Sequence, residues 1–358
     1  MISEKPYTIS SIINILFKRK TSNPFDKHQK YFMGRDALSH AIELCGINET
    51  TKVLLPAYSC LEVITPFKKI NAKMYFYDVR ENLKLDVESI VNQIKENEIE
   101  AFLFINYFGQ VNKDILRIKN LCAHTLIFIE DTTHSLLSKE SGLIGNVIFG
   151  SFRKVLPVPD GAYLIHKCKV QKPKYKSRII SDFISLIILI KSLSVFKKIN
   201  LNRTNISRKF KSTAKKEVKY LRISRTSNSI LTRIEYEKQC KLRRKNYLIW
   251  ENKLKKYGCQ SIISPIDDGT IPSGYPILIN QRDKVVQYLE TKKIFIKVDW
   301  PKDQLYTKQG EYSNFLSENI ITLPVNENID DKKIEFIIFC ISNVIGDNWK
   351  LNIKRNIS

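Results

Sequence analysis

The sequence predicts an α/β fold, in which helices cover both faces of a mostly parallel central sheet and a smaller α+β domain follows at the C-terminal end. Two observations support this. In the first half of the chain, short apolar runs that suit buried strands alternate with stretches of helical periodicity. After Gly258 the pattern changes to a short mixture of strands and helices. A chain of 358 residues is long enough to hold both units.

The first half supplies the strands and helices of the predicted large sheet. The apolar runs predicted as buried strands are Lys52–Pro56, Met74–Asp78, Ala101–Asn106 and Leu126–Asp131. The stretches predicted as helices are Asp36–Cys45, Leu61–Lys69, Val87–Glu96 and Lys113–Cys122. Ligands of such sheets bind at the carboxyl ends of the strands. We therefore expect a site where Asp78, Asn106 and Asp131 end their strands.

The second half is organised differently. The segment from Cys168 to about Tyr220 lacks glycine, and Ile179–Phe196 within it suits an amphipathic helix. The other predicted elements are the helices Ile230–Tyr257, Arg282–Thr291 and Lys332–Val344 and the strands 275–279 and Ile294–Val298. We expect a large domain at 26–228, including a basic helical segment at about 168–220, and a small domain at 229–358, with 1–25 as a candidate addition to the small domain.

The positive charge of the chain is concentrated in one segment. The net charge is +23, yet Lys167–Gly258 alone contains 27 Lys or Arg and 5 Asp or Glu, and the rest is nearly neutral. The basicity is therefore not a property of the whole fold. A solvated basic face is the simplest interpretation. Attraction of a nucleotide diphosphate, an acidic membrane surface or nucleic acid is the alternative, with nucleic acid the less favoured because aromatic residues are sparse there.

Several protein classes are disfavoured by composition. The seven cysteines are odd in number and form no Cys-x-x-Cys pair, which favours a reducing compartment and argues against disulfides and zinc. The five histidines show no His-Glu-x-x-His spacing, so we expect no metal. The apolar patch Ile9–Phe17 lacks a signal-peptide cleavage site, and no stretch reaches the roughly 20 apolar residues of a membrane span. We expect a cytoplasmic protein.

Two residues suggest the chemistry. Asp131 ends an apolar strand, and Lys154 follows Ser151 in a Ser-x-x-Lys turn. Pyridoxal phosphate (PLP) enzymes need a lysine that condenses with the cofactor aldehyde and a carboxylate that keeps the pyridine nitrogen protonated. The cationic neighbour Arg153 would lower the pKa of Lys154 and favour the reactive neutral amine. The simpler interpretation is a strand-end aspartate that caps a helix and a lysine in a solvated turn.

Two further features fit the same cofactor. Gly34-Arg35-Asp36 opens a predicted helix, where exposed backbone amides can bind a phosphate group. His134 lies three residues after Asp131 and could hydrogen-bond the cofactor ring or its phenolate. Taken singly, a glycine that opens a helix is usually a turn residue, and a lone histidine is usually satisfied by its neighbours.

With these residues in hand, the chain resembles the DegT/DnrJ/StrS-type sugar aminotransferases, which are fold-type-I PLP enzymes, from about Tyr31 to Ile341. The stretch from Cys168 to Tyr220 matches poorly. The matching motifs occur in the family's order: Gly34-Arg-Asp-Ala-Leu, Val53-Leu-Leu-Pro-Ala-Tyr-Ser-Cys, Tyr77-Asp-Val, Asn106-Tyr-Phe-Gly, Ile129-Glu-Asp-Thr-Thr-His, Gly150-Ser-Phe-Arg-Lys, Tyr275-Pro-Ile and Asn319-Ile-Ile-Thr-Leu-Pro-Val.

The resemblance implies a role for each matching residue. Lys154 is the Schiff-base lysine and Asp131 pairs with the pyridine nitrogen, which makes these two the catalytic residues. The implied cofactor-binding set is Gly34, Arg35, Asp36, Tyr58, Cys60, Asp131, His134, Ser151 and Lys154, with Ser151 and the amides of Arg35 and Asp36 on the phosphate. Such enzymes are usually homodimers, so Asn228 or a neighbour would reach the partner's cofactor.

Three departures from the family pattern indicate a divergent member. The family's lysine usually stands in Ser-Phe-His-x-x-Lys, whereas Lys154 is three residues after Ser151 and Arg153 replaces the histidine. The ring-stacking aromatic residue usually occupies the position of Cys60, which leaves Tyr58 as the alternative. The glycine pair after the lysine is Gly161-Ala162.

The function implied is transfer of an amino group, with glutamate as the expected donor, to a nucleotide-linked keto-sugar in amino-sugar and cell-surface polysaccharide biosynthesis. The presence of Lys154 favours transamination over the related dehydration, in which the family replaces this lysine by histidine. Two alternatives come from other classes: a catalytically inactive protein of the same fold that binds or regulates, and a basic protein that binds nucleic acid or the membrane surface through Lys167–Gly258.

Overall fold

The computed structural model describes residues 2–3, 9–122, 126–167, 173–192, 220–301, 305–306, 310–346 and 349. Its helices are α1 (Ile9–Leu16), α2 (Gly34–Cys45), α3 (Leu61–Lys69), α4 (Val87–Glu96), α5 (Asp114–Cys122), α6 (Arg178–Ser192), α7 (Arg225–Leu231), α8 (Tyr236–Leu254), α9 (Arg282–Thr291), α10 (Glu311–Asn319) and α11 (Asp331–Ile345). Its strands are β1 (Ile2–Ser3), β2 (Gln29–Tyr31), β3 (Lys52–Pro56), β4 (Lys73–Tyr77), β5 (Ala101–Ile105), β6 (Ile127–Asp131), β7 (Val147–Ser151), β8 (Ala162–His166), β9 (Tyr275–Leu278), β10 (Ile294–Phe295) and β11 (Ile320–Leu323).

A seven-stranded sheet with the order β2-β8-β7-β6-β5-β3-β4 forms the centre of the molecule. Strands β3 to β7 are parallel to one another. Strand β8 runs antiparallel to β7, and β2, which is antiparallel to β8, has the same direction as β3 to β7. Every residue of β5 and β7 is buried. This is expected where helices cover both faces of a parallel sheet. The predicted α/β class and the fold-type-I architecture are confirmed.

The helices predicted in the first half match α2 to α5 to within two residues. Local signals explain this agreement. Asp86, for example, caps α4 by accepting a hydrogen bond from the backbone N–H of Ser89 at 3.0 Å. The short strands β2, β7 and β8 were not predicted.

The single helix expected at Ile230–Tyr257 is wrong. The structure has two helices, α7 and α8, separated at residues 232–235. The carbonyl groups of Thr232 and Ile234 accept hydrogen bonds from Thr21 instead of continuing a helical ladder. The N-terminal segment therefore takes the acceptors that a continuous helix would have used.

The amphipathic helix expected at Ile179–Phe196 corresponds to α6, and residues 193–196 lie outside the described part of the chain. Its orientation reverses the usual amphipathic pattern. Ser181 and Ser185 are buried, while Phe183 and Leu186 are each more than half exposed. Ser185 accepts a hydrogen bond from the Ser224 hydroxyl at 3.2 Å, which accounts for its inward position.

A second, smaller sheet pairs β9 antiparallel with β11 in the C-terminal unit. Strand β10 is shorter than the predicted Ile294–Val298, because only an isolated bridge between Lys297 and Thr322 continues it. Strand β1 pairs in parallel with β10, so the N-terminal end of the chain contacts the C-terminal unit. The domain limits given above stay a prediction.

The described ranges contain neither a membrane-spanning helix nor a group of side chains that could bind a metal. None of the helices there has both the length and the apolar character required to cross a bilayer. Nor do His, Cys, Asp and Glu side chains there gather into a group able to hold a metal ion.

Candidate active site

The loops after β3, β6 and β7 meet at one edge of the large sheet, because these strands are parallel. They bring Cys60, Asp131 and Lys154 close enough to interact electrostatically. The positive charge of Lys154 opposes the rise in the pKa of both Asp131 and Cys60. The residues that the sequence predicted as catalytic therefore lie together, at the predicted edge.

Lys154 ends a short 3₁₀ turn, Phe152–Lys154, which follows β7 directly. The turn is anchored by the buried Phe152 ring, which packs against Phe25 with ring centroids 4.9 Å apart. On the other side, the buried Arg243 of α8 donates a hydrogen bond to the carbonyl oxygen of Val155. Both contacts restrict where the lysine can point.

The Lys154 side chain is exposed to solvent, yet the surrounding protein atoms desolvate its amine. This desolvation, followed by the charges of Lys297 and Arg153, lowers the pKa of Lys154 to about 8. A substantial fraction of neutral amine is then present near neutral pH, as a nucleophilic lysine requires.

Asp131 is buried at the end of β6, and burial raises the pKa of its carboxyl group to about 6. The backbone N–H of Thr133 donates to its Oδ1 at 2.9 Å, and this hydrogen bond together with Lys154 limits the rise. A positively charged group placed beside the carboxylate would stabilise its ionised form further.

The N-terminus of α2 lies against the end of β7. A Cβ added to Gly34 would lie 3.6 Å from the Cβ of Ser151, so these two predicted phosphate-binding residues are neighbours. The backbone N–H of Asp36 donates to the carbonyl of Met33 at 3.0 Å, which engages one of the two amides expected to hold the phosphate. The guanidinium of Arg35 pairs with Glu62 at 2.6 Å.

His134 is buried above this edge and contacts residues from the C-terminal unit. Its ring stacks on Trp300, with centroids 5.4 Å apart and planes inclined by 5°. Its Nε2 lies 3.2 Å from Nζ of Lys297, which also forms an ion pair with the buried Asp299. Burial and the charge of Lys297 hold the pKa of His134 well below its usual range, so the ring is neutral.

Tyr58, the alternative stacking residue, is fully buried, and its ring and hydroxyl contact residues of the C-terminal unit. Its ring packs edge-on against Trp300 at 4.7 Å, and its hydroxyl donates to the backbone oxygen of Asp299 at 3.2 Å. Cys60 is the residue that interacts with Lys154 and Asp131. A stacking role for Tyr58 stays a prediction.

Asn228 lies away from this cluster, on α7, where it lines a separate cavity of about 470 Å³ with Arg178 and Arg222. Its predicted contact with a partner subunit is untested.

Sequence reasoning missed Lys297, Asp299 and Trp300. The signal that could have found them is the rule used for Asp131, because Asp299 directly follows the predicted strand Ile294–Val298.

Comparisons with known proteins agree with this arrangement. Residues 33–155 match the model of the DegT/DnrJ/EryC1/StrS aminotransferase family. This segment contains Gly34, Cys60, Asp131, Ser151 and Lys154 and ends one residue after the lysine.

Similar solved structures span nearly the whole chain. An aminotransferase described by the same family name from Brucella abortus is 17% identical, with a TM-score of 0.63 over 94% of this chain and 93% of that one. The putative sugar aminotransferase Spr1654 from Streptococcus pneumoniae, in its PMP form, is 14% identical, with a TM-score of 0.69 over 96% and 98%. PseC from Helicobacter pylori is 14% identical, with a TM-score of 0.69 over 95% and 97%.

At these identities the structural neighbours establish the fold alone. The segment 33–155 is similar to the DegT/DnrJ/EryC1/StrS aminotransferase family and carries the residues of the candidate site.

Proposed function

We propose that this protein is a PLP-dependent aminotransferase that moves an amino group from glutamate to a nucleotide-linked keto-sugar. The observation that carries the proposal is the pair formed by Lys154 and Asp131. The first is a lysine whose pKa is lowered to about 8, and the second is a buried carboxylate whose pKa is raised to about 6. Both stand at the edge of the sheet where ligands of this fold class bind.

The unpaired groups of the site fit this cofactor. Asp131 is buried with a raised pKa, so a pyridinium N–H beside it would supply the positive charge that the carboxylate lacks. The buried Nδ1 of His134 has no hydrogen-bond partner among the described residues, and the cofactor's ring oxygen would accept from it. Gly34 at the start of α2 adjoins Ser151, so the backbone amides of the helix and the serine hydroxyl would hold the phosphate together.

Bound PLP supplies a ring that withdraws electrons from the reacting carbon. Asp131 holds the proton on the ring nitrogen and so maintains that withdrawal. Lys154 would hold the cofactor through its amine and, when that amine is free, would move a proton at the donor Cα as base and then acid. Ser151 and the amides at the start of α2 hold the phosphate and fix the orientation of the ring.

The substrate is inferred from the family and its structural relatives. PseC is described as an aminotransferase involved in the biosynthesis of pseudoaminic acid, and Spr1654 as a putative sugar aminotransferase. A keto-sugar carried on a nucleotide, serving amino-sugar and cell-surface polysaccharide biosynthesis, is the corresponding proposal for this chain. We also propose a homodimer in which Asn228 or a neighbour contacts the partner's site.

The test begins with the purified protein and PLP. We expect a visible absorption band that shifts when glutamate is added, because the donor amine displaces Lys154. Borohydride reduction followed by peptide mass mapping should place a pyridoxyl group on Lys154.

Matched variants make this result specific. Lys154→Ala should lose both the band and the labelled peptide. Lys139→Ala, which removes an exposed lysine, should keep both. Label on another lysine, or on none, contradicts the assignment and supports an inactive protein of this fold. Turnover with a panel of nucleotide-linked keto-sugars and amino donors then tests the substrate.

A further inference from the structure

The C-terminal unit contributes a charged group that touches His134. Lys297 lies on the segment after β10, where its backbone carbonyl accepts a hydrogen bond from the N–H of Thr322 at 2.8 Å. Its ammonium forms an ion pair with Asp299, and the other carboxylate oxygen of Asp299 accepts from the Thr322 hydroxyl at 2.5 Å. The backbone contact with Thr322 and the ion pair with Asp299 therefore fix the position of the Lys297 Nζ.

This geometry determines which nitrogen of His134 carries the proton. An ammonium group only donates hydrogen bonds, so at 3.2 Å from Lys297 Nζ the Nε2 atom must be the acceptor. The Asp299 carboxylate lies 3.9 Å from Nε2, too far to receive a hydrogen bond from it. In a neutral imidazole the proton then resides on Nδ1.

The resulting Nδ1–H is buried and has no partner among the described residues. The ring cannot turn freely to find one, since it lies flat against Trp300 and packs on Phe108 at 5.4 Å. A buried donor without an acceptor is costly unless a ligand completes it. The arrangement holds one hydrogen-bond donor ready for an incoming acceptor.

We propose that Lys297, held by Asp299, is a positioning residue that fixes the Nδ1–H tautomer of His134 and so presents that hydrogen to the oxygen on the cofactor ring. The inference rests on the proposed cofactor but concerns a residue of the C-terminal unit outside the segment matched by the family model. It makes the C-terminal unit part of the cofactor site through a residue that need not touch the cofactor.

The first measurement uses the apoprotein and does not depend on activity. Nitrogen-15 NMR of histidine-labelled protein distinguishes a protonated from an unprotonated ring nitrogen, and His134→Gln assigns the signal. We expect protonated Nδ1 and unprotonated Nε2 in the unmodified protein. Lys297→Met should give a mixture of the two tautomers, whereas Lys297→Arg should retain the original one.

The second measurement is the dissociation constant for PLP. Losing one oriented hydrogen bond should weaken binding about tenfold in Lys297→Met, with rescue by Lys297→Arg. Lys284→Met, which removes an exposed lysine of α9, should change neither readout.

Protonated Nε2 in the unmodified protein, or an unchanged tautomer in Lys297→Met, would overturn the inference. Failure of PLP to attach to Lys154 would instead overturn the proposed function, and the tautomer result on the apoprotein would still stand.

Discussion

Asp131 and Asp160 are both buried carboxylates near the end of the large sheet, but they differ in how their hydrogen bonds are supplied. Asp160 accepts from the backbone N–H of Ser224 at 3.0 Å and from the hydroxyls of Ser224 and Ser227 at 2.7 Å each. Asp131 relies on Thr133. Burial raises the pKa of both.

The difference separates a structural carboxylate, Asp160, from Asp131, which we propose binds a ligand. The serines around Asp160 belong to the segment that leads into α7, so the carboxylate fastens that segment to the loop before β8. Asp131 holds no comparable segment and lies close enough to Lys154 to interact with its charge. A buried charged group whose own protein does not complete its hydrogen bonds is a good indicator of an absent partner.

The largest expected effect is on catalysis by Asp131→Asn. The amide has nearly the same shape but cannot hold a proton on the ring nitrogen by charge. We expect turnover to fall by about 10²–10³, as when one electrostatic contact to developing charge is lost. The measurement is kcat with saturating donor and acceptor. Asp160→Asn is the control, and the fraction of this variant that remains folded should keep most of its turnover. An equal loss of turnover in both variants would contradict the comparison.

The second effect is on folding stability in Asp160→Asn. The new amide nitrogen brings donors toward hydroxyls that already donate, so we expect the free energy of unfolding to fall by about 2–3 kcal/mol. Thermal or urea unfolding measures this. Asp182→Asn provides a control, because that aspartate is partly exposed in an ion pair with Arg225 at 3.1 Å and should change stability little.

The smallest effect is a pH-dependent gain of stability in the Asp131→Asn apoprotein. The pKa of Asp131 is about 6 in the folded state, above its ordinary value of 3.8. Between these values the folded state binds more protons than the unfolded state, so unmodified protein loses stability as pH rises through this window. Asp131→Asn has no carboxyl group at this position and therefore does not lose this stability.

We therefore expect Asp131→Asn to be more stable than the unmodified apoprotein by about 1–2 kcal/mol above pH 6, and equal to it below pH 3.8. Thermal unfolding across this pH range measures the difference. A variant that is less stable at neutral pH would show that Asp131, like Asp160, is mainly structural.

Much of the fold could be predicted because its determinants are local. Runs such as Ala101–Ile105 are apolar throughout, and the helices between them carry their own periodicity and caps. The break between α7 and α8 could not be predicted, because it depends on Thr21, which is remote in sequence. The reversed face of α6 depends likewise on the distant Ser224.

The candidate site divides in the same way. Asp131, Ser151 and Lys154 follow strands that are recognisable in the sequence, and their proximity comes from the parallel sheet. The contact between Lys297 and His134 joins residues 163 positions apart and has no local signal. The burial of Tyr58 likewise emerges only from tertiary packing.

The pairing of β1 with β10 has a consequence for how the chain matures on the ribosome. Ile2 and Ser3 are synthesised before the large sheet, whereas their partners Ile294 and Phe295 are synthesised after it. The large sheet can assemble meanwhile, since its last strand ends at His166. The backbone groups of β1 therefore stay unpaired until β10 has been synthesised, and the contact between these two strands forms after the large sheet.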